Sequence, residues 1–216
     1  MITTLFTDPF QFFLSAISIV IAISVHEWAH AKTADYLGDP TPSMQGRVTL
    51  DPRAHLDLYG TLFLLLIGFG WGKPVQFDPF NLKNPRRDAA IISIAGPISN
   101  FILATVGSLI LYLFTFIAIP VMTTISFLFL PSFIIMNLLL GVFNLLPIHP
   151  LDGFKIVGGI LPKDQAHEWY KLERFGMLFL LMLIIPFGNQ SMLESIIRPV
   201  LNVLYTIFIP GYGLFM

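Results

Sequence analysis

The sequence predicts an all-α polytopic membrane protein with about five transmembrane helices and a short β-prone or re-entrant segment between the first two. Three observations carry this. Of 216 residues, 55% are hydrophobic and 12% charged, where a soluble domain carries about 25% charged residues. Mean hydropathy is +0.77. The apolar residues, 21 Phe among them, gather in runs approaching the ~20 residues that a helix needs to cross a bilayer. A net charge of −1 and no basic tract longer than Arg86–Arg87 argue against nucleic-acid binding. With no cysteine, a disulfide framework and thiolate metal ligands are both excluded, which leaves histidines and carboxylates as metal donors.

The first span runs from about Phe10 to Tyr36 and carries His26, Glu27 and His30 in its second half. The N-terminal stretch lacks the basic region and small-residue cleavage site of a signal peptide and is expected to stay in the mature chain. Gly46–Leu50 is β-prone, bounded by Gly46 and Pro52, and reads as a strand. Tyr59–Phe69 is apolar but too short to cross, and ends among Gly68, Gly70 and Gly72. That pattern suits a re-entrant element, which needs protein or water over its backbone. The second span runs from about Ala89 to Met122, with a kink expected at Gly96–Pro97, and the third from Ile125 to Leu146. Two further helices are expected at about 169–187 and 196–215. No repeat or linker divides the chain, so one membrane domain over residues 1–216 is expected, with its core at 10–155.

Basic residues orient this arrangement. Lys32, Arg47, Arg53, Lys73, Lys83, Arg86 and Arg87 lie in or beside the loop after span one, and Lys155, Lys163, Lys171 and Arg174 lie in the loop after span three. Both loops are then cytosolic, the N-terminus outside and the C-terminus cytosolic.

Span one contains His26-Glu27-Trp28-Ala29-His30. Residues four apart share a helix face, so both imidazoles can bind one metal ion, with Glu27 beside them as base. Random placement of this chain's His and Glu residues yields only about 0.002 such motifs. Three ionisable residues in one span each cost at least about 2.5 kcal/mol unless partnered or hydrated, a cost that a metal site explains and a packing role does not. A catalytic zinc takes three protein ligands and keeps one open position. The third candidate is Asp152, where Pro147 and Pro150 break the helix and Gly153 permits a turn. An Asp-Gly pair after a proline is also an ordinary turn, and His149 competes as a ligand. His30 lies about 9 Å along the helix from its cytosolic end, which puts the metal near that boundary. Asn100 and Asn144 are polar residues in apolar runs. Each can bond a neighbouring helix, and Asn144 is a candidate substrate-facing amide for the tetrahedral oxyanion. His55 and His167 read as surface histidines.

Taken together, His26-Glu27-x-x-His30, Gly96-Pro97-x-x-Asn100 and Asn144-x-x-Pro147-x-x-Pro150-Leu151-Asp152-Gly153 resemble the site-2 protease family of intramembrane metalloproteases, peptidase family M50. Trp71-Gly72-Lys73-Pro74-Val75 is similar to a loop of its short microbial members, which lack PDZ and CBS domains. The resemblance implies one zinc held by His26, His30 and Asp152, Glu27 as general base, and membrane-spanning proteins as substrates. The small size suits a prokaryotic cell membrane. Gly46–Leu50 is expected to pair with the unwound substrate by β-augmentation. Two other classes remain, a membrane zinc transporter and a catalytically inactive relative that binds clients.

Overall fold

The computed structural model of the chain describes residues 2–67, 70–187 and 190–212. Helix α1 (Ile2–Thr7) leads into α2 (Pro9–Tyr36). Asp8 caps α2 by accepting the Gln11 N–H at 3.0 Å, and Pro9 takes the first helical position, where its missing N–H costs nothing. The connection to the second long helix holds three short α-helices, α3 (Thr41–Met44), α4 (Pro52–His55) and α5 (Leu58–Ile67), and a 3-10 turn at Pro79–Asn81. Two more long helices follow, α6 (Pro85–Ile117) and α7 (Pro120–Asn144). Among the described residues, α2, α6 and α7 are the helices long and apolar enough to cross a membrane.

The boundary between α6 and α7 falls earlier than expected from hydropathy. Ala118 adopts the left-handed conformation (φ 55°) and closes α6 by donating to the Phe114 carbonyl at 3.2 Å. Pro120 then starts α7. Local backbone chemistry, rather than the end of the apolar run, sets this turn.

The three long helices pack on one another, and α8 (Asp152–Ile160) packs on α6. Ala104 and Leu111 of α6, Ile134 and Leu138 of α7, and Ile197, Leu201 and Tyr205 of α11 (Met192–Phe208) form an apolar core. Around it, Ile102, Leu109 and Phe116 of α6 and Val121 and Ile125 of α7 are exposed, while Ser18, Ser24, Asn100, Ser132 and Asn137 are buried. Apolar outside and polar within is the distribution that a lipid solvent favours.

The C-terminal part differs from the expected fourth and fifth spans. The apolar run at 169–187 is divided between α9 (Lys163–Tyr170) and α10 (Glu173–Ile184). Lys171, flanked by Glu168 and Glu173, interrupts it, and α10 with its 12 residues is about 18 Å long against a ~30 Å hydrocarbon core. A small antiparallel pair, β1 (Pro186–Phe187) and β2 (Gln190–Ser191), precedes α11. Residues 213–215 of the expected fifth helix lie outside the described residues.

The strand expected at Gly46–Leu50 is absent; that segment is irregular. Its backbone polar groups find local partners instead of a ladder. Arg47 N–H donates to the Pro42 carbonyl at 2.8 Å, and the Thr49 carbonyl accepts from His55 Nε2 at 2.7 Å. The Arg47 guanidinium, buried, donates to the Lys73 carbonyl. Strand-like pairing occurs further on, where Leu56 bridges Gly72 in antiparallel fashion and Lys73 N–H donates to the His55 carbonyl at 2.7 Å. The apolar stretch from Tyr59 forms α5, about 15 Å long at ten residues. Gly68 and Phe69 lie outside the described residues.

Candidate metal centre

His26 and His30 stand one turn apart on the buried face of α2, their ring centroids 4.6 Å apart and their planes nearly perpendicular. Each ring is oriented through Nδ1. His30 Nδ1 lies 2.7 Å from the Ile92 carbonyl, which can only accept, so His30 carries its proton on Nδ1. His26 Nδ1 lies 2.7 Å from Asn100 Oδ1. The Asn100 amide is assigned by its other side, where Nδ2 donates to the Ala22 carbonyl at 3.1 Å and to Asn137 Oδ1 at 3.0 Å. His26 therefore also carries a proton on Nδ1, so that in its neutral form each ring presents an Nε2 lone pair to one point.

Asp152 meets that point from the first turn of α8. Its Oδ2 lies 3.1 Å from His26 Nε2 and 3.2 Å from His30 Nε2, and the two nitrogens are 3.0 Å apart. A tetrahedral zinc with bonds of about 2.0–2.1 Å separates its donors by about 3.3–3.4 Å. The three atoms thus match the edge of such a site to within about 0.4 Å. Two lone pairs and a carboxylate, all largely shielded from water, make a donor set of the nitrogen and oxygen type that zinc takes. Among the described residues no other group of three His, Asp or Glu side chains converges in this way.

The surroundings are built to this geometry. Gly96 of α6 faces both rings; a Cβ there would lie 2.5 Å from His30 Cε1 and Nε2 and 2.6 Å from His26 Cε1. Gly153, expected to supply a sharp turn, instead sits inside the first turn of α8. A Cβ at this position would come within 2.3 Å of the Leu145 and Leu146 carbonyl oxygens, so glycine is needed there for close backbone packing. Glu27, half-buried, accepts the Val75 N–H on Oε2 at 3.0 Å. The segment that carries Val75 is the one tied to Arg47 and His55.

The other residues singled out from the sequence lie elsewhere. His149 places Nδ1 3.8 Å from Glu173 Oε1 and stays out of the donor cluster. Asn144 uses Nδ2 on its own helix, donating to the Leu140 carbonyl at 3.0 Å. His55 is fully buried in the loop rather than a surface residue. Asn100 bonds neighbouring helices as expected, and its partner there is a ligand ring. Asn137 was not foreseen. It continues the chain of amides from Asn100 and donates to the Phe133 carbonyl at 2.8 Å; its signal is an amide two helical turns before Asn144 in an apolar run.

The chain matches the family model described as Peptidase family M50 over residues 14–128 and 117–184. It is 36% identical over 190 residues to the Bacillus subtilis (strain 168) protein named "Putative zinc metalloprotease YwhC", covering 86% of this chain and 84% of that one. It is 29% identical over 172 residues to Rip2 of Mycobacterium tuberculosis (strain H37Rv), which carries the same description, covering 77% of this chain and 64% of Rip2. No solved structure matches. Motif, geometry and relatives agree, and the chain belongs to peptidase family M50.

Proposed function

We propose that this protein is an intramembrane zinc metalloprotease that hydrolyses a peptide bond within or near a transmembrane segment of membrane-protein substrates. One observation carries the proposal: two Nδ1–H tautomers and the Asp152 carboxylate aim three donors at one point inside a bundle of apolar helices. The chain acts as a single multi-pass domain of the cell membrane, with its N-terminus outside and its centre toward the cytosolic side. The re-entrant placement of α5 and membrane crossing by the segments after α8 belong to the same reading.

His26, His30 and Asp152 hold the zinc, which when bound polarises the scissile carbonyl and lowers the pKa of water toward about 7. Asn100 and the Ile92 carbonyl keep both imidazoles in the binding tautomer. Glu27 accepts the proton of the attacking water and delivers it to the departing amide nitrogen. The Val75 N–H engages one carboxylate oxygen and fixes the direction of the other. Asn144 commits one Nδ2 hydrogen to the Leu140 carbonyl and keeps the second for the oxyanion. Gly46–Leu50 is no strand and offers substrate no edge to pair with; the backbone bonded to Glu27 is that of Val75. A helical substrate exposes its peptide bonds only after local unwinding, so helix-breaking residues in it favour cleavage.

A zinc transporter calls for donors at several depths along a path, whereas the described residues converge at one place. The test is zinc content and cleavage of a single-span substrate by detergent-purified wild type and Glu27→Gln. About one zinc in both and cleavage only by wild type is expected. Full cleavage by Glu27→Gln with zinc retained would overturn the role of Glu27.

A further inference from the structure

Away from the metal centre, a cleft of about 530 Å³ is lined by the start of α6 and by α9. Its polar lining comes from Asn84, Arg86 and Arg87 on one side and Lys163, His167 and Tyr170 on the other. Arg86, Arg87 and Lys163 form no ion pair and no side-chain hydrogen bond among the described residues. By contrast, Lys32 pairs with Asp35 at 3.3 Å and Arg53 with Asp51 at 2.7 Å.

The two arginines stand in the first turn of a 33-residue helix, at the positive end of its dipole, where cations are disfavoured. Asn84 makes no side-chain capping bond there. Asp88 accepts the Asn84 N–H at 2.8 Å and Asp164 lies in the first turn of α9, so two carboxylates offset the three cations only in part. The far wall is held in place. Trp169 stacks on Phe154 with centroids 5.1 Å apart and donates Nε1–H to the Phe154 carbonyl at 2.8 Å. The Tyr170 hydroxyl adds a neutral donor to the lining. Exposed apolar Ile160 and Leu172 stand within three residues of the lining.

Unpaired cations of two elements, a helix N-terminus and a hydroxyl converging in one cleft favour a tetrahedral oxyanion. The apolar side chains beside it, at the end of a membrane-crossing helix, favour one that carries acyl chains. We propose that the α6–α9 cleft binds the phosphate of an anionic phospholipid headgroup, with Arg86, Arg87 and Lys163 as its charged contacts. This inference rests on the bilayer placement of α6 and not on the metal centre.

The experiment titrates the full chain in neutral detergent with dioctanoyl phosphatidylglycerol, dioctanoyl phosphatidylcholine and inorganic phosphate, reading binding and the thermal midpoint. Wild type is expected to bind phosphatidylglycerol and gain stability, with much weaker binding of phosphatidylcholine. The triple variant Arg86→Gln, Arg87→Gln, Lys163→Gln should bind phosphatidylglycerol about tenfold or more weakly, from the contribution of each basic side chain near an anionic surface. The double variant Lys32→Gln, Arg53→Gln should bind as wild type does. Lys163→Gln alone, at an exposed position, gives a smaller loss if the triple variant fails to fold. Equal loss in the Lys32, Arg53 variant, or none in both cleft variants, overturns the site. Tight inorganic-phosphate binding lost in the cleft variants, without lipid preference, keeps the phosphate site and overturns the lipid source.

Discussion

Replacing Gly96 by alanine adds one methyl group at the floor of the metal centre. Alanine is the better helix former by about 1 kcal/mol, so the backbone of α6 tolerates the change. The methyl carbon, however, would stand 2.5 Å from His30 and 2.6 Å from His26, where ordinary contact begins at 3.4 Å. Relief requires the rings to retreat by about 0.9 Å, several times the ~0.2 Å tolerance of metal–ligand distances. Loss of an outer-shell contact alone lowers metal affinity about 10–100-fold, and displacing two ligands should cost at least that upper figure. Zinc affinity is measured by competition with a chelator on detergent-purified protein, beside a thermal melt. Gly107→Ala is the control on the same helix, because its Cβ would meet Ile134 and Phe133 at 3.2 Å, which side-chain adjustment can absorb. Gly96→Ala is expected to stay folded and lose zinc and cleavage together, while Gly107→Ala keeps both. Wild-type zinc affinity in Gly96→Ala would refute the assignment of His26 and His30 as paired ligands.

Asn100→Ala removes the acceptor that holds His26 in its binding tautomer, and zinc affinity should fall about 10–100-fold by the same competition assay. Asn100→Asp, which keeps an acceptor, should lose less. Arg47→Ala deletes a charged donor to the Lys73 carbonyl, and hydrogen bonds of this kind contribute about 1.5–3 kcal/mol. A lower thermal midpoint and slower cleavage with undiminished zinc are expected, and a zinc loss equal to that of Asn100→Ala would contradict the separation of loop from metal. Fully buried Asp39 ties the end of α2 to the loop before α6. Burial raises its pKa, but donors from Thr41, Asn81 and Asp78 outweigh this and hold it below the ordinary 3.8. Its stabilisation is therefore present above that value and lost as pH falls below it. Asp39→Asn should be less stable at neutral pH and show a flatter acid limb in thermal melts as pH falls below about 4.

The three long helices were legible because apolar length is a sufficient signal for a span. The ligands were legible because four-residue spacing on a helix and a Pro-broken helix end each leave a local mark around His26, His30 and Asp152. What escaped depends on partners distant in sequence. Val48 and Thr49 are β-prone, yet a strand needs a neighbour, and the ties of Arg47 to Lys73 and of Thr49 to His55 leave none. Asn137 looked like any amide in an apolar run until α6 placed Asn100 against it. Gly153 was expected for its freedom of conformation, and the need is set by Leu145 and Leu146 carbonyls that only the folded turn brings close. The division of the 169–187 run between α9 and α10 escaped for a local reason, since Lys171 was weighed less than the apolar residues around it.

The metal centre draws its donors from residues 26, 30 and 152 and its supports from residues 92, 100 and 137. A ribosome therefore releases the two histidines and the base long before the carboxylate that completes their set. During that interval the half-made chain presents a two-ligand helix that holds metal weakly and has no finished site. The donor set is complete only once α8 has docked on α6, so under the proposed function a truncated chain that lacks α8 would be inert. Under the proposed function, in which the substrates share the bilayer with the enzyme, a split donor set would serve the purpose that a removable pro-segment serves in secreted enzymes.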